Sequence, residues 1–260
     1  MADPMHQFEV HKVVDLPDFT LPGVGVIDMA ITNSTISMFI ASGVLIAFMA
    51  AVTARPQVVP GRLQTAGEML FGMIDGLTDS IIGPEGRKFF PFVFTLFLFV
   101  LAMNFLGLFL VFTATSQLAV TATLAAMTIL LVLIIGFARN GLGFFKLFLP
   151  SGVPWYLWWL VVPIEVISFI LRPVTLSLRL FGNMLGGHVA LKVFAGFVVS
   201  LGALAAGGGL GLLGIPGAML SLGGVVALTA LEFLVAFLQA FVFAVLTCVY
   251  LNDAVHAGHH

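Results

Sequence analysis

The chain has 260 residues, 60% hydrophobic and 8% charged, with a formal net charge of −2 and a mean hydropathy of +1.16. Soluble domains carry about 25% charged residues, so this composition excludes an ordinary soluble domain and describes a chain embedded in lipid. The near-neutral balance gives no basis for a nucleic-acid partner, and the lone cysteine, Cys248 in the apolar run LTCVYL, excludes a disulfide framework and a CxxC metal site.

Residues 1–33 form an acidic arm with no basic segment ahead of the first apolar run, and do not read as a cleaved signal peptide. A helix needs about 20 apolar residues to cross the hydrocarbon core. The first such run is Ile36 to Ala54, stopped by Arg55-Pro56. In residues 62–82, Leu63, Ala66, Leu70, Met73, Ile74, Leu77 and Ile81 recur at helical spacing with Glu68, Asp75 and Asp79 between them. That pattern predicts an amphipathic helix lying at the interface, a solvated connector being the alternative. Phe89 to Phe112 and Leu118 to Ala138 are two further spans, and 139–154 reads as a loop.

Two long segments follow, from about Trp155 to Leu204 and from about Met219 to Leu251, separated by a glycine-rich break. Both are too long for a straight crossing, so tilt or bending is expected. The predicted fold is an all-α membrane protein. It has about five transmembrane helices, an amphipathic interfacial helix, and two long tilted C-terminal helices forming a hairpin. In domain terms these are an arm (1–33), a first span with interfacial helix and transmembrane hairpin (34–150), a long hairpin (151–252) and a polar tail (253–260). With this count Arg55, Arg62, Arg87, Lys88, Arg139 and Lys146 fall on one face and Lys12 on the other. The excess of Lys and Arg marks the cytoplasmic side, which puts the N-terminus outside and the C-terminus in the cytoplasm.

Six ionisable residues lie within the last two apolar segments: Glu165, Arg172, Arg179, His188, Lys192 and Glu232, accompanied by Asn183 and Gln239. A charge at mid-bilayer costs about 2.5–3.5 kcal/mol even on the lenient insertion scale, so such groups point to an ion path. Glu165, Arg172 and Arg179 are spaced by seven and share a helix face; Glu232 and Gln239 share one on the last helix. Arg179 and His188, nine apart, point to opposite sides of a straight helix. Packing the long helices together would bring Arg179 near Gln239 and leave His188 and Glu232 on a separate polar path. Imidazole and carboxyl groups exchange protons, whereas arginine holds its charge. Pairing Arg172 with Glu165 leaves Arg179 without an acid of its own, so its counter-charge is expected from another chain.

At these residues the sequence resembles subunit a of the F-type ATP synthase, bacterial type. The resemblance is carried by Pro163-Ile-Glu165, Arg172-Pro173, Ser177-Leu-Arg179-Leu-Phe-Gly182-Asn183-Met184, Leu231-Glu232-Phe and Leu238-Gln239-Ala-Phe, with Asn104-Phe-Leu-Gly107-Leu, Thr113-Ala-Thr-Ser116 and the arm motif Asp3 to Glu9. Where many members have a proline after Gly107-Leu108, this chain reads Phe109-Leu110. The resemblance implies a proton-channel stator subunit of the membrane Fo sector, in the bacterial inner membrane. Protons would pass through two half-channels to and from a rotating c-ring. Arg179 would be the essential arginine facing the c-ring carboxylates, with His188, Glu232, Glu165, Asn183 and Gln239 along the proton path. Implied partners are the c-ring, the b/b′ peripheral stalk, the rest of F1Fo and membrane lipid. No cofactor or metal is implied, and without GxxxxGK[ST] the subunit has no nucleotide site of its own. A secondary ion transporter with a midplane charge relay is the rival reading, distinguished by internal repeats that this sequence lacks.

Overall fold

A computed structural model describes residues 11–15, 19–21, 25–27, 30–54, 56–109, 113–148, 155–207 and 214–256. The arm carries two nested antiparallel ladders: β1 (Lys12–Asp15) with β4 (Ala30–Thr32), and inside it β2 (Phe19–Leu21) with β3 (Gly25–Ile27). Strands of three or four residues are too short for alternation to reveal them in a sequence. The Asn33 N–H donates to the His11 carbonyl at 3.2 Å, tying the arm to the first helix.

Helix α1 (Asn33–Thr53) begins where Thr32 caps it, its hydroxyl accepting the Thr35 N–H at 3.4 Å. Helix α2 (Arg62–Ile82) has the extent expected of the amphipathic segment and ends at Gly83, whose φ of 81° suits only glycine well. Its buried line is Gly67, Ile74, Thr78 and Ile82, set against α1, α3 and α6. Leu63 and Ala66, expected on that face, are exposed, because the packed stripe is rotated towards Gly67. Gly67 permits this approach; a Cβ there would sit 2.6 Å from the Val52 Cγ1.

Helix α3 (Phe90–Phe109) is the centre of the bundle, with Val93, Phe97, Val100, Met103 and Asn104 all buried. Helix α4 (Leu118–Asn140) stops at Gly141, φ 52°. Part of the expected loop that follows is instead a 3-10 segment, Gly141–Phe148, which folds back so that the Phe144 ring covers Gly136.

Helices α5 (Trp158–Ala206) and α6 (Gly214–His256) have 49 and 43 residues, about 70 and 65 Å at 1.5 Å per residue. Each is about twice the hydrocarbon thickness. Helix α5 runs through Pro163 and Pro173 without a break. The two form an antiparallel hairpin joined along its length: Arg172 meets Asp253, Asn183 meets Gln239, Gly187 meets Glu232, and Gly224 lies under Phe194. Among the described residues five helices, α1, α3, α4, α5 and α6, are long and apolar enough to cross a membrane. The five-span all-helical reading therefore holds.

Helix α6 carries a stripe of small residues towards the bundle, Ala236, Ala240, Ala244 and Cys248, one per turn and all buried, with Cys248 Sγ 3.9 Å from the Thr78 hydroxyl of α2. In lipid such stripes let backbones approach and bond. Here Asn104 Nδ2 donates to the Ala236 carbonyl at 3.2 Å, and Phe97 packs edge-on against Phe237. The polar tail expected from residue 253 starts later. Residues 253–256 are helical, with Ala254 and Val255 buried, and Asn140 Nδ2 caps the Ala254 carbonyl at 2.6 Å.

Candidate functional site

Near the C-terminal end of α6, Arg172 Nη1 donates to Asp253 Oδ2 at 2.8 Å, both side chains about a quarter exposed. The guanidinium also lies over the Tyr250 ring at 5.1 Å and the Phe169 ring at 5.5 Å. The expected Arg172–Glu165 pair does not form. Seven residues place those two groups about 10 Å apart along the axis, whereas the antiparallel neighbour delivers Asp253 at the same level. Glu165 is partly exposed and has no hydrogen bond or ion pair among the described residues.

Further along the hairpin, Asn183 Nδ2 donates to Gln239 Oε1 at 2.9 Å. The amide that reaches Gln239 thus belongs to Asn183, one turn beyond Arg179, and not to Arg179 itself. Leu176, Leu180 and Met184 turn the buried face of α5 into the bundle. Arg179, on the flank of that face, is exposed and has no hydrogen bond or ion pair among the described residues. Around it the outward surface is largely apolar, with Leu171, Val174 and Leu178 on α5 and Leu231, Leu234 and Leu238 on α6, and with the exposed Thr175 and Asn183 one turn to either side.

About two turns beyond Arg179 the hairpin becomes polar inside. Glu232 is 9% exposed, yet neither carboxyl oxygen has a hydrogen-bond partner among the described residues. It lies against Gly187, where a Cβ would stand 2.5 Å from Oε1. The absence of a side chain at 187 makes the space the carboxyl occupies. On the neighbouring residue, His188 Nε2 is 3.0 Å from Thr113 Oγ1, on the turn between α3 and α4. That hydroxyl also donates to the Gly107 carbonyl at 3.0 Å. Gln239 is buried with its Nε2 unpaired, and Asn104 Oδ1 and Thr115 Oγ1 are likewise buried and unpaired among the described residues.

The sequence-nominated residues thus separate into groups. His188 and Glu232 share one level of the hairpin, Asn183 and Gln239 join about one turn away, Arg179 faces outwards, and Glu165 stands apart at the far end of α5. Asp253, Gly187 and Thr113 belong to the same arrangement, although Thr113 stood out only as part of the family motif, Asp253 only as the start of the polar tail, and Gly187 not at all. Asp253 lies just past the apolar run, and a glycine or a turn threonine acquires its role only through a cross-helix contact.

Five spans and a column of ionisable groups along one long hairpin define a polytopic membrane protein of the ion-translocating class. The family model of the ATP synthase A chain matches residues 35–252. ATP synthase subunit a of Rhodopseudomonas palustris (strain BisB18) is 53% identical over 260 residues, covering all of both chains. Those of Allorhizobium ampelinum and Mesorhizobium japonicum are each 52% identical over 259 residues, covering 99% of this chain and 99% and 98% of theirs. The chain belongs to the ATP synthase A chain family, and so to the proton-translocating stator of the F1Fo complex.

Proposed function

We propose that the chain passes protons through two offset half-channels to and from a ring of c subunits, with Arg179 as the electrostatic barrier between them. The observation that carries this reading is the exposed Arg179, without a hydrogen bond or ion pair among the described residues, on a largely apolar outward face of a hairpin whose other arginine is neutralised internally. An arginine in lipid without a counter-charge is costly. A carboxylate presented by an apolar partner helix meets that cost, and Gly182 and Gly186, with open space where a Cβ would be, leave room for such a helix.

In this mechanism a proton enters from the outside and reaches the ring by way of His188 and Glu232. Both carboxyl oxygens of Glu232 lack a hydrogen-bond partner among the described residues, so the group is available to bind and release a proton. Asn183 and Gln239 hold the two helices in register between that level and Arg179. When a ring carboxyl reaches Arg179, the guanidinium favours its ionised form, and the proton leaves on the cytoplasmic side with Glu165 along the exit. Each proton crossing 100 mV releases about 2.3 kcal/mol; a barrier that cannot deprotonate keeps that work coupled to rotation. The chain sits in the bacterial inner membrane, N-terminus periplasmic. Helix α1, with Phe39 and Ile46 exposed, offers its outer face to the b/b′ stalk. Glu85 pairs with Arg139 at the end of α4, which puts those two loops on one face, the one assigned here to the cytoplasm by its basic residues. Arg55, counted with the same cluster, lies outside the described residues.

Arg179→Ala is expected to abolish proton-driven ATP synthesis while opening a passive proton leak in membranes containing the assembled complex. Normal coupled synthesis by that variant would refute the reading.

A further inference from the structure

We infer that Thr113 is a positioning residue for His188, orienting the imidazole and assigning its proton to Nε2. The inference rests on the reading of His188 as part of the proton path. A hydroxyl carries one hydrogen. The Thr113 hydroxyl directs it to the Gly107 carbonyl, 3.0 Å away at the end of α3, and that carbonyl can only accept. The same oxygen lies 3.0 Å from His188 Nε2. With its own hydrogen committed, it accepts there, and Nε2 must be the donor. A neutral imidazole carries one N–H, so fixing it on Nε2 makes Nδ1 the atom that gains and loses a proton.

Thr113 is built to hold this position. It is 3% exposed. Its carbonyl accepts the Ser116 hydroxyl at 2.6 Å and the Ser116 N–H at 3.1 Å, closing the turn. Gly107 leaves space for the Thr113 methyl, since a Cβ at 107 would collide with it. A carbonyl on α3, a hydroxyl on the turn and an imidazole on α5 thus form one chain of hydrogen bonds with a fixed direction, and a hydrogen bond of this kind sets a histidine's tautomer and orientation. The ionisable groups sharing this part of the hairpin are Lys192, one turn along α5, and Glu232 from α6. The turn itself and the facing ends of α3 and α4 contribute none.

The test compares Thr113→Val, Thr113→Ser, Gly107→Ala and His188→Gln in the assembled complex, measuring proton-driven ATP synthesis against pH in membrane vesicles. ATP hydrolysis and the amount of the subunit in the membrane report assembly. Thr113→Val keeps the shape but removes the acceptor, and is expected to lower synthesis about tenfold and to displace its pH profile. Thr113→Ser is expected to keep both the rate and the profile. Gly107→Ala, which pushes Thr113 aside, is expected to reproduce the displaced profile; it decides the matter if Thr113→Val fails to assemble. A Thr113→Val enzyme with the original profile, or a Thr113→Ser enzyme as impaired as Thr113→Val, would overturn the inference. If His188→Gln is itself unimpaired, the reading of the proton path fails; if His188→Gln is impaired and Thr113→Val is not, the role of Thr113 alone is lost.

Discussion

Replacing Asp253 with alanine isolates one interaction at the end of the long hairpin. The carboxylate accepts from Arg172 at 2.8 Å in a partly buried setting, and a hydrogen bond between charged groups contributes about 1.5–3 kcal/mol. Arg172 keeps its places over Tyr250 and Phe169, each contributing about 0.5–1 kcal/mol. Asp253→Ala should therefore cost about 2 kcal/mol, roughly a thirtyfold rise in local opening of the last turns of α6. Arg172→Ala loses the ring contacts as well and should cost about 1–2 kcal/mol more. The double variant should match Arg172→Ala, giving a coupling energy of about 1.5–3 kcal/mol. Hydrogen exchange of the peptide around residues 248–256, in the assembled complex, reads this directly. Additive costs in the double variant would refute the claim that Asp253 is the counter-ion of Arg172, and equal costs for the two single variants would show the ring contacts to be immaterial.

Two further outcomes follow from geometry. Gly187→Ala meets only the movable end of Glu232, so the subunit should accumulate normally while coupled synthesis falls about ten- to a hundredfold through the displaced carboxyl; unchanged synthesis would show that its position is immaterial. The Arg139 guanidinium holds the exposed Glu85 carboxyl below the ordinary carboxylate range, chiefly through its hydrogen bond. A carboxylate depressed in this way contributes stability above its unfolded value of about 4.3, lost as pH falls through the lowered folded value. Glu85→Gln should therefore lower thermal stability only slightly at pH 7, as expected of an exposed, salt-screened pair, and the difference from the parent should vanish as pH falls below about 4.

The spans were legible because lipid imposes length and apolarity on each of them. The ends of α2 at Arg62 and Ile82 were equally plain, since the amphipathic run is flanked by Gly61 and Gly83. Cross-helix partners were not. Glu165 and Arg172 share a face at a spacing of seven, which made their pairing attractive, but a seven-residue rise separates them and Asp253 arrives from the antiparallel helix. Asp253 itself looked like tail because hydropathy falls there, although Ala254 and Val255 beside it are buried. The proximity of Gly187 to Glu232 depends on the register of α5 against α6, which no single helix contains. The ladders of the arm are too short to leave a periodic trace.

The alanine stripe of α6 bears on how the subunit carries mechanical load. Arg179 projects from a helix backed by Leu176 and Leu180. That helix is joined to α6 by Asn183 and Gln239, and α6 is seated on α3 through the small Ala236 and through ring contacts such as Phe97 on Phe237. Force applied to the guanidinium therefore passes first along the arginine's own four-bond stem and then into three packed helices, a short spring on a broad mount.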